Sequence, residues 1–149
     1  MNEEIENILH RENITLADTK KRAVALFIDE LLLSFLLIVA LWESFTSASN
    51  TEEIIQITNA FVLEYMALKI IYQTFFVHKY GASIGKIVMK IRVIEIQSLN
   101  NPSISASLNR GIFRVISEML FYLGFLWGIL DPARQTWHDK TAKTLVIDV

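Results

Sequence analysis

Arg22 stands at the mouth of an apolar run, Ala23, Val24, Ala25, Leu26, Phe27 and Ile28, and Asp29 follows directly inside it. Seven residues at about 100° each return nearly to the same helical face, so both charges mark one stripe. A carboxylate set in an apolar helix is costly and asks for a partner or a task. Lys69, Arg114 and Glu118 are likewise ionisable groups in apolar surroundings. Arg110, Arg114 and Glu118 are spaced by four, share one helical face, and let Arg114 reach Glu118 directly. Such groups can hold and release a proton or a small cation. Burial disfavours the charge of a carboxylate and a neighbouring Lys or Arg restores it, so occupancy is tunable. The same residue types also make internal ion pairs that hold helices together, and the sequence leaves both readings open.

Three apolar stretches must position these groups: residues 23–42, 54–77 and 112–130. Each is near the roughly 20 residues that cross about 30 Å of hydrocarbon. The 149 residues have a mean hydropathy of +0.37 and are 52% hydrophobic, one domain's length and more apolar than most soluble domains. A short apolar run is also compatible with a buried helix of a soluble bundle. Lys20, Lys21 and Arg22 before the first run resemble the start of a signal peptide, but Asp29 and Glu30 inside it argue against one. The composition therefore points to a mainly α, polytopic membrane protein. It has two full transmembrane helices, a third stretch that spans or re-enters, and the lipid bilayer as its first partner.

Lys and Arg placement orients the spans, because cytoplasmic flanks are enriched in both. Arg11, Lys20, Lys21 and Arg22 precede the first stretch, residues 43–51 carry no Lys or Arg, and Lys79, Lys86, Lys90, Arg92 and Arg110 fill the next connection. The N-terminus and the middle segment are expected in the cytoplasm. Arg134, Lys140 and Lys143 in the tail prefer the same side, which three full crossings would forbid. The third stretch then either re-enters, breaking near Gly124, or spans with help from its neighbours. Residues 87–96 and 144–149 alternate apolar with charged or polar side chains, and predict a cytoplasmic strand pair that needs the tail inside. Residues 1–17 form a lead in which Ile5, Ile8 and Leu9 have helical spacing, predicting an amphipathic helix on the cytoplasmic membrane face. Asp18 or Thr15 can cap the helix after it. Residues 98–103 are turn chemistry.

Counted inward from the cytoplasmic ends at about 1.5 Å per residue, Asp29, Glu30 and Glu118 lie roughly 10 Å deep, Lys69 roughly 12 Å and Arg114 roughly 5 Å. A polar layer results, with the Arg114 face turned to Asp29. Glu30, about 100° from Asp29, is expected outside this site and toward a partner subunit. Arg22 and Asp29 lie about 10 Å apart along the axis and lean away from each other. Arg22 is therefore expected to bind Asp139 as a charge-assisted clamp; snorkelling to the interface is its other reading.

Other strings carry less. Gly81-Ala82-Ser83-Ile84-Gly85 fits a nucleophile elbow in letters but follows a membrane stretch and has no convergent His and acid. Gly85-Lys86 lacks the spacing of a phosphate loop. His138 and Asp139 are adjacent and do not converge as metal ligands, and His78, Trp42, Trp127 and Trp137 read as interfacial or packing side chains. The chain has no cysteine, and its net charge of -2 suggests no nucleic-acid partner. No catalytic residue, metal or cofactor is expected.

Arg22-Ala23-Val24-Ala25-Leu26-Phe27-Ile28-Asp29 resembles the opening helix of the RDD family of membrane proteins, named for one Arg and two Asp. Gly81-Ala82-Ser83-Ile84-Gly85-Lys86, with Ile91-Arg92-Val93-Ile94 after it, is similar to that family's glycine-containing segment. Asp131-Pro132-Ala133-Arg134-Gln135-Thr136-Trp137-His138-Asp139-Lys140-Thr141-Ala142-Lys143-Thr144-Leu145-Val146 is similar to its closing signature, which makes Asp139 the second named aspartate. The resemblance covers residues 18–149. It implies a multi-pass protein of the bacterial inner membrane, connected with transport, some members with sodium–proton exchange. Glu30 and Lys69 have no counterpart in that pattern. The expectation from sequence is therefore transport of a proton or monovalent cation through Asp29, Glu118, Lys69 and Arg114, by a homo-oligomer whose path lies between subunits. The alternative is a non-transporting membrane module that assembles with or regulates another protein.

Overall fold

The structure is a computed structural model and describes residues 2–149. In chain order the elements are α1 (Glu3–Arg11), α2 (Thr19–Ala40), α3 (Trp42–Ser47), α4 (Thr51–Ala60), α5 (Val62–Tyr80), α6 (Ile84–Val88), β1 (Ile91–Glu95), α7 (Ile104–Met119), α8 (Leu123–Leu130), α9 (Trp137–Ala142) and β2 (Thr144–Asp148). The architecture is mainly helical with a small sheet.

Length and apolarity let α2 cross a membrane as one straight helix. Only Ala25, Asp29 and Leu33 of it are buried, an i, i+4, i+8 stripe that turns one face inward. Phe27 and Phe35, each 62% exposed, stand on the outer side with Leu31 and Val39. Outward apolar side chains of this kind suit lipid, which solvates them as well as a core does. The pair α4 and α5 passes the same test with a 52° bend, and α7 with α8 does so with a 104° bend, giving up to three spans.

The third stretch breaks at Leu120–Tyr122, slightly before the expected Gly124. Phe121 and Tyr122 both take left-handed backbone angles there, and Tyr122 N–H donates to Ser117 O at 2.8 Å. Both ends of the bent pair return to one end of the molecule. Asp131 at the end of α8 is followed by Arg134, which donates to Leu16 O and Ala17 O, and Pro102 ahead of α7 accepts through its carbonyl oxygen from His78 Nδ1 at the end of α5 at 2.9 Å.

At that end β1 and β2 pair antiparallel, Ile91 opposite Asp148 through Glu95 opposite Thr144. Leu16 adds a bridge to Ile147. The first strand is shorter than residues 87–96 predict: residues 87 and 88 belong to α6, because the apolar Ile87, Val88 and Met89 do not alternate and the first amides of α6 find side-chain acceptors on α2 and α5. The two faces of the sheet have separate cores. Ile91, Val93 and Val146 pack on Ala17, Ala25 and Val77 at the base of the membrane helices. Ile94 and Leu145 pack on Ile5 of α1 and Ala133, with Leu9 and Leu16 alongside. Here the lead departs from expectation: α1 forms, but its apolar face covers the sheet and not lipid, since the sheet's second face otherwise has nothing to bury it. Asp18 occupies the cap position of α2 without a side-chain cap bond.

Candidate functional site

Two buried clusters of charge lie side by side between the membrane helices and the sheet. In the first, the fully buried carboxylate of Asp29 has donors on both oxygens. Oδ1 accepts from Tyr72 Oη at 2.7 Å and from Gly85 N–H at 2.8 Å; Oδ2 accepts from Ser83 Oγ at 2.6 Å and lies 3.7 Å from Arg114. Each donor follows from local structure. Tyr72 lies one turn after Lys69 on the inner face of α5. Gly81, at φ 71°, ends α5 in the left-handed region that glycine tolerates best, and the chain then turns so that Ser83 and the amide of Gly85 meet α2. Close approach requires glycine at position 85, where a Cβ would stand 2.1 Å from the carbonyl oxygen of Ala25.

Next to Asp29, Glu30, Lys69, Glu118 and Arg114 form a closed ring of alternating charge. Lys69 Nζ lies 2.6 Å from Glu118 and 2.8 Å from Glu30, and Arg114 lies 3.4 Å from each of the same carboxylates. The expectation that Glu30 stands apart is wrong. A 100° rotation about α2 moves its Cα, yet its longer side chain reaches back to α5 and α7, which pack against each other behind it.

The second cluster centres on Asp139, also fully buried. Arg22 donates to it at 2.5 Å, Arg110 donates to its other oxygen, and Thr136 offers both N–H (3.0 Å) and Oγ (2.8 Å), closing a capping box on α9. Burial by itself would raise this carboxyl, but the Arg22 and Arg110 guanidiniums win and hold it well below the usual carboxylate range. Arg22 thus reaches Asp139 and not Asp29. His138, with Nε2 3.0 Å from Thr136 Oγ, is held well below its ordinary value by burial, against the pull of Asp139. Burial likewise pushes the Lys86 ammonium down to about 7, despite Asp29.

Arg22, Asp29, Lys69, Arg114, Glu118 and Asp139 all lie in these clusters. Tyr72, Ser83, Lys86 and Thr136 belong to them as well, and the sequence reading did not assign them to the site. A signal existed for Tyr72, which falls three residues after Lys69, and for Ser83, the one hydroxyl in the glycine-flanked turn, which donates to Asp29. Among the described residues, no three His, Asp or Glu side chains converge as a metal set.

Two cavities flank the ring. One of about 250 Å³ reaches from Thr19, Arg22 and Arg134 at the sheet end up to Arg114 and Gln73. The other, about 220 Å³, lies farther from the sheet among Val62, Met66 and Met119, and is lined by Lys69 and Glu118.

Helices that turn apolar faces outward and gather buried ion pairs inward define a membrane protein. The chain matches the RDD family model over residues 16–143 and belongs to the RDD family. No curated protein and no solved structure matches it significantly.

Proposed function

We propose that this RDD protein moves a proton or a monovalent cation across the bilayer, with the ring of Glu118, Lys69, Glu30 and Arg114 as the exchanging site. The observation that carries this reading is the ring's place between two cavities, Arg114 lining one and Lys69 and Glu118 the other. Protonation of Glu118 would release Lys69 toward Glu30 and change which cavity the free charge faces. Asp29, with donors on both oxygens, is the fixed support of that site. This moves the centre of the mechanism from Asp29 to its neighbours.

The positive-inside bias supports a cytoplasmic sheet, N-terminus and tail, in a bacterial inner membrane. A single chain encloses little, and the long apolar outer faces support a homo-oligomer.

A second reading has its own support: Asp29, Glu30, Glu118 and Asp139 all have cationic partners, as a purely structural network would. On that reading the protein is a non-transporting module that assembles with or regulates a partner.

Proteoliposomes holding a trapped pH dye separate the two. Wild type should move protons when an alkali cation is added outside, and Glu118→Gln at matched incorporation should lose at least tenfold in rate. Folded, inserted wild type that shows no proton flux, whichever alkali cation is supplied, would sink the transport reading and leave the module.

A further inference from the structure

We infer that the larger cavity is a binding site for an anionic phosphate group, of a lipid headgroup or of free phosphate. Its occupant is thus opposite in charge to the species the ring would carry. The cavity's charged lining is one-signed: Arg22, Lys86, Arg110, Arg114 and Arg134 line it, and no Asp or Glu does. Asp139 and Asp29 neutralise some of this charge from behind the wall, through Arg22, Arg110 and Arg114. Lys86 and Arg134 have no carboxylate within 4.0 Å among the described residues; Lys86 has only a 3.5 Å contact to Ser83 Oγ, and Arg134 gives its N–H groups to the Leu16 and Ala17 carbonyls.

Unused donors give an independent sign of a missing acceptor. Gln73 and Arg110, both at least nine-tenths buried, line the cavity, and Gln73 Nε2 and Arg110 Nε find no hydrogen-bond partner. A buried N–H without an acceptor costs about 1–3 kcal/mol, and phosphate oxygens accept several such donors at once. About 250 Å³ exceeds the room one water needs, roughly 30 Å³.

The opposite wall is apolar. Leu26, Phe125, Leu126 and Ile129 complete the cavity, and Leu126 and Ile129 also stand exposed on the outer surface of α8. A basic pocket with an apolar flank at the membrane's edge is the form that takes a headgroup phosphate with its acyl chains outside. The cavity shares Arg114 with the ring, but the inference is tested by binding alone and does not depend on Glu118 or on flux.

The test is binding by the purified, detergent-solubilised full chain. Native mass spectrometry would compare phosphatidylglycerol with phosphatidylcholine, and calorimetry would titrate inorganic phosphate. Wild type should prefer phosphatidylglycerol, and Lys86→Met should bind it about tenfold more weakly, the loss of one charged hydrogen bond. Should Lys86→Met fail to fold, Gln73→Leu, which removes an unpartnered donor, should weaken binding in its place. Leu126→Trp, which fills the apolar side, should cost the lipid and spare inorganic phosphate; binding of inorganic phosphate alone by wild type would assign the site to the free anion. Folded wild type that binds neither, or variants that bind as well as wild type, would overturn the inference.

Discussion

Arg22 and Asp139 are 117 residues apart in sequence and 2.5 Å apart in space. Their bond ties the mouth of the first membrane helix to the helix that precedes the last strand. Arg110 shares the same carboxylate, so Asp139 balances two buried cations. Removing it leaves both without a counter-charge, a situation that costs about 3–5 kcal/mol. Asp139→Asn is expected to lose about that much stability in detergent, Arg22→Gln less, because Arg110 remains. The double variant should fall short of the sum of the singles. Additive losses in thermal or denaturant unfolding would contradict a shared cluster. A simple charge swap is a poor test here, since Asp139→Arg would face Arg110.

Asp29→Asn places an amide where three donors already point at the carboxylate oxygens, Tyr72 Oη, Ser83 Oγ and Gly85 N–H. The expected outcome is a loss of about 3–5 kcal/mol, seen as a lower unfolding midpoint. Gly85→Ala should do worse, since its Cβ would meet Ala25 O at 2.1 Å; size-exclusion chromatography should show little monodisperse protein. A well-behaved Gly85→Ala would disprove the close approach of α6 to α2.

His138 gives a pH dependence with a definite sign. Burial holds its folded pKa well below 6.5, so the unfolded chain binds a proton there before the folded protein does. Stability is then complete above about pH 6.5 and declines as pH falls toward the folded value, by at most about 1.4 kcal/mol per unit. Lys86, lowered to about 7, changes stability only between its folded and unfolded values, above this window. Asp139 is held well below its ordinary 3.8 and acts only in stronger acid. The unfolding temperature should drop between pH 6.5 and 5 in wild type, and His138→Gln should flatten that slope. An unchanged slope would assign the effect elsewhere.

The absence of cysteine makes topology directly measurable. Single replacements Lys90→Cys and Ser49→Cys should label from opposite sides with a membrane-impermeant maleimide in oriented vesicles. Lys143→Cys should follow Lys90→Cys, because Lys143 O accepts from Ile96 N–H beside the sheet. Labelling of positions 90 and 143 from different sides would break the sheet's arrangement.

Long-range charge pairing was legible in part. Helical geometry kept Arg22 from Asp29, the cytoplasmic tail and the resemblance to the RDD signature pointed to Asp139 as its partner, and the i, i+4 spacing of Arg114 and Glu118 fixed their contact. The strand pair was legible from alternation, and its partners proved to be Ile91–Glu95 and Thr144–Asp148. Glu30 was not, because a helical wheel places Cα atoms and says nothing of how far a glutamate reaches. Nor were the acceptors that start α6, since Asp29 and Tyr72 lie 56 and 12 residues from the amides they receive. The apolar face of α1 was visible; what covers it depends on a sheet face that only the fold exposes.

The sheet carries a consequence for synthesis. β1 cannot pair, and Arg22 and Arg110 cannot be neutralised, until residues 139–148 have left the ribosome. The membrane helices therefore wait, inserted but unlocked, with cations at their base uncompensated. Closure comes with α9 and β2, the last elements made, which act as the latch on helices inserted before them. A ribosome stalled before residue 139 should hold a chain that is membrane-bound yet open to protease at its base.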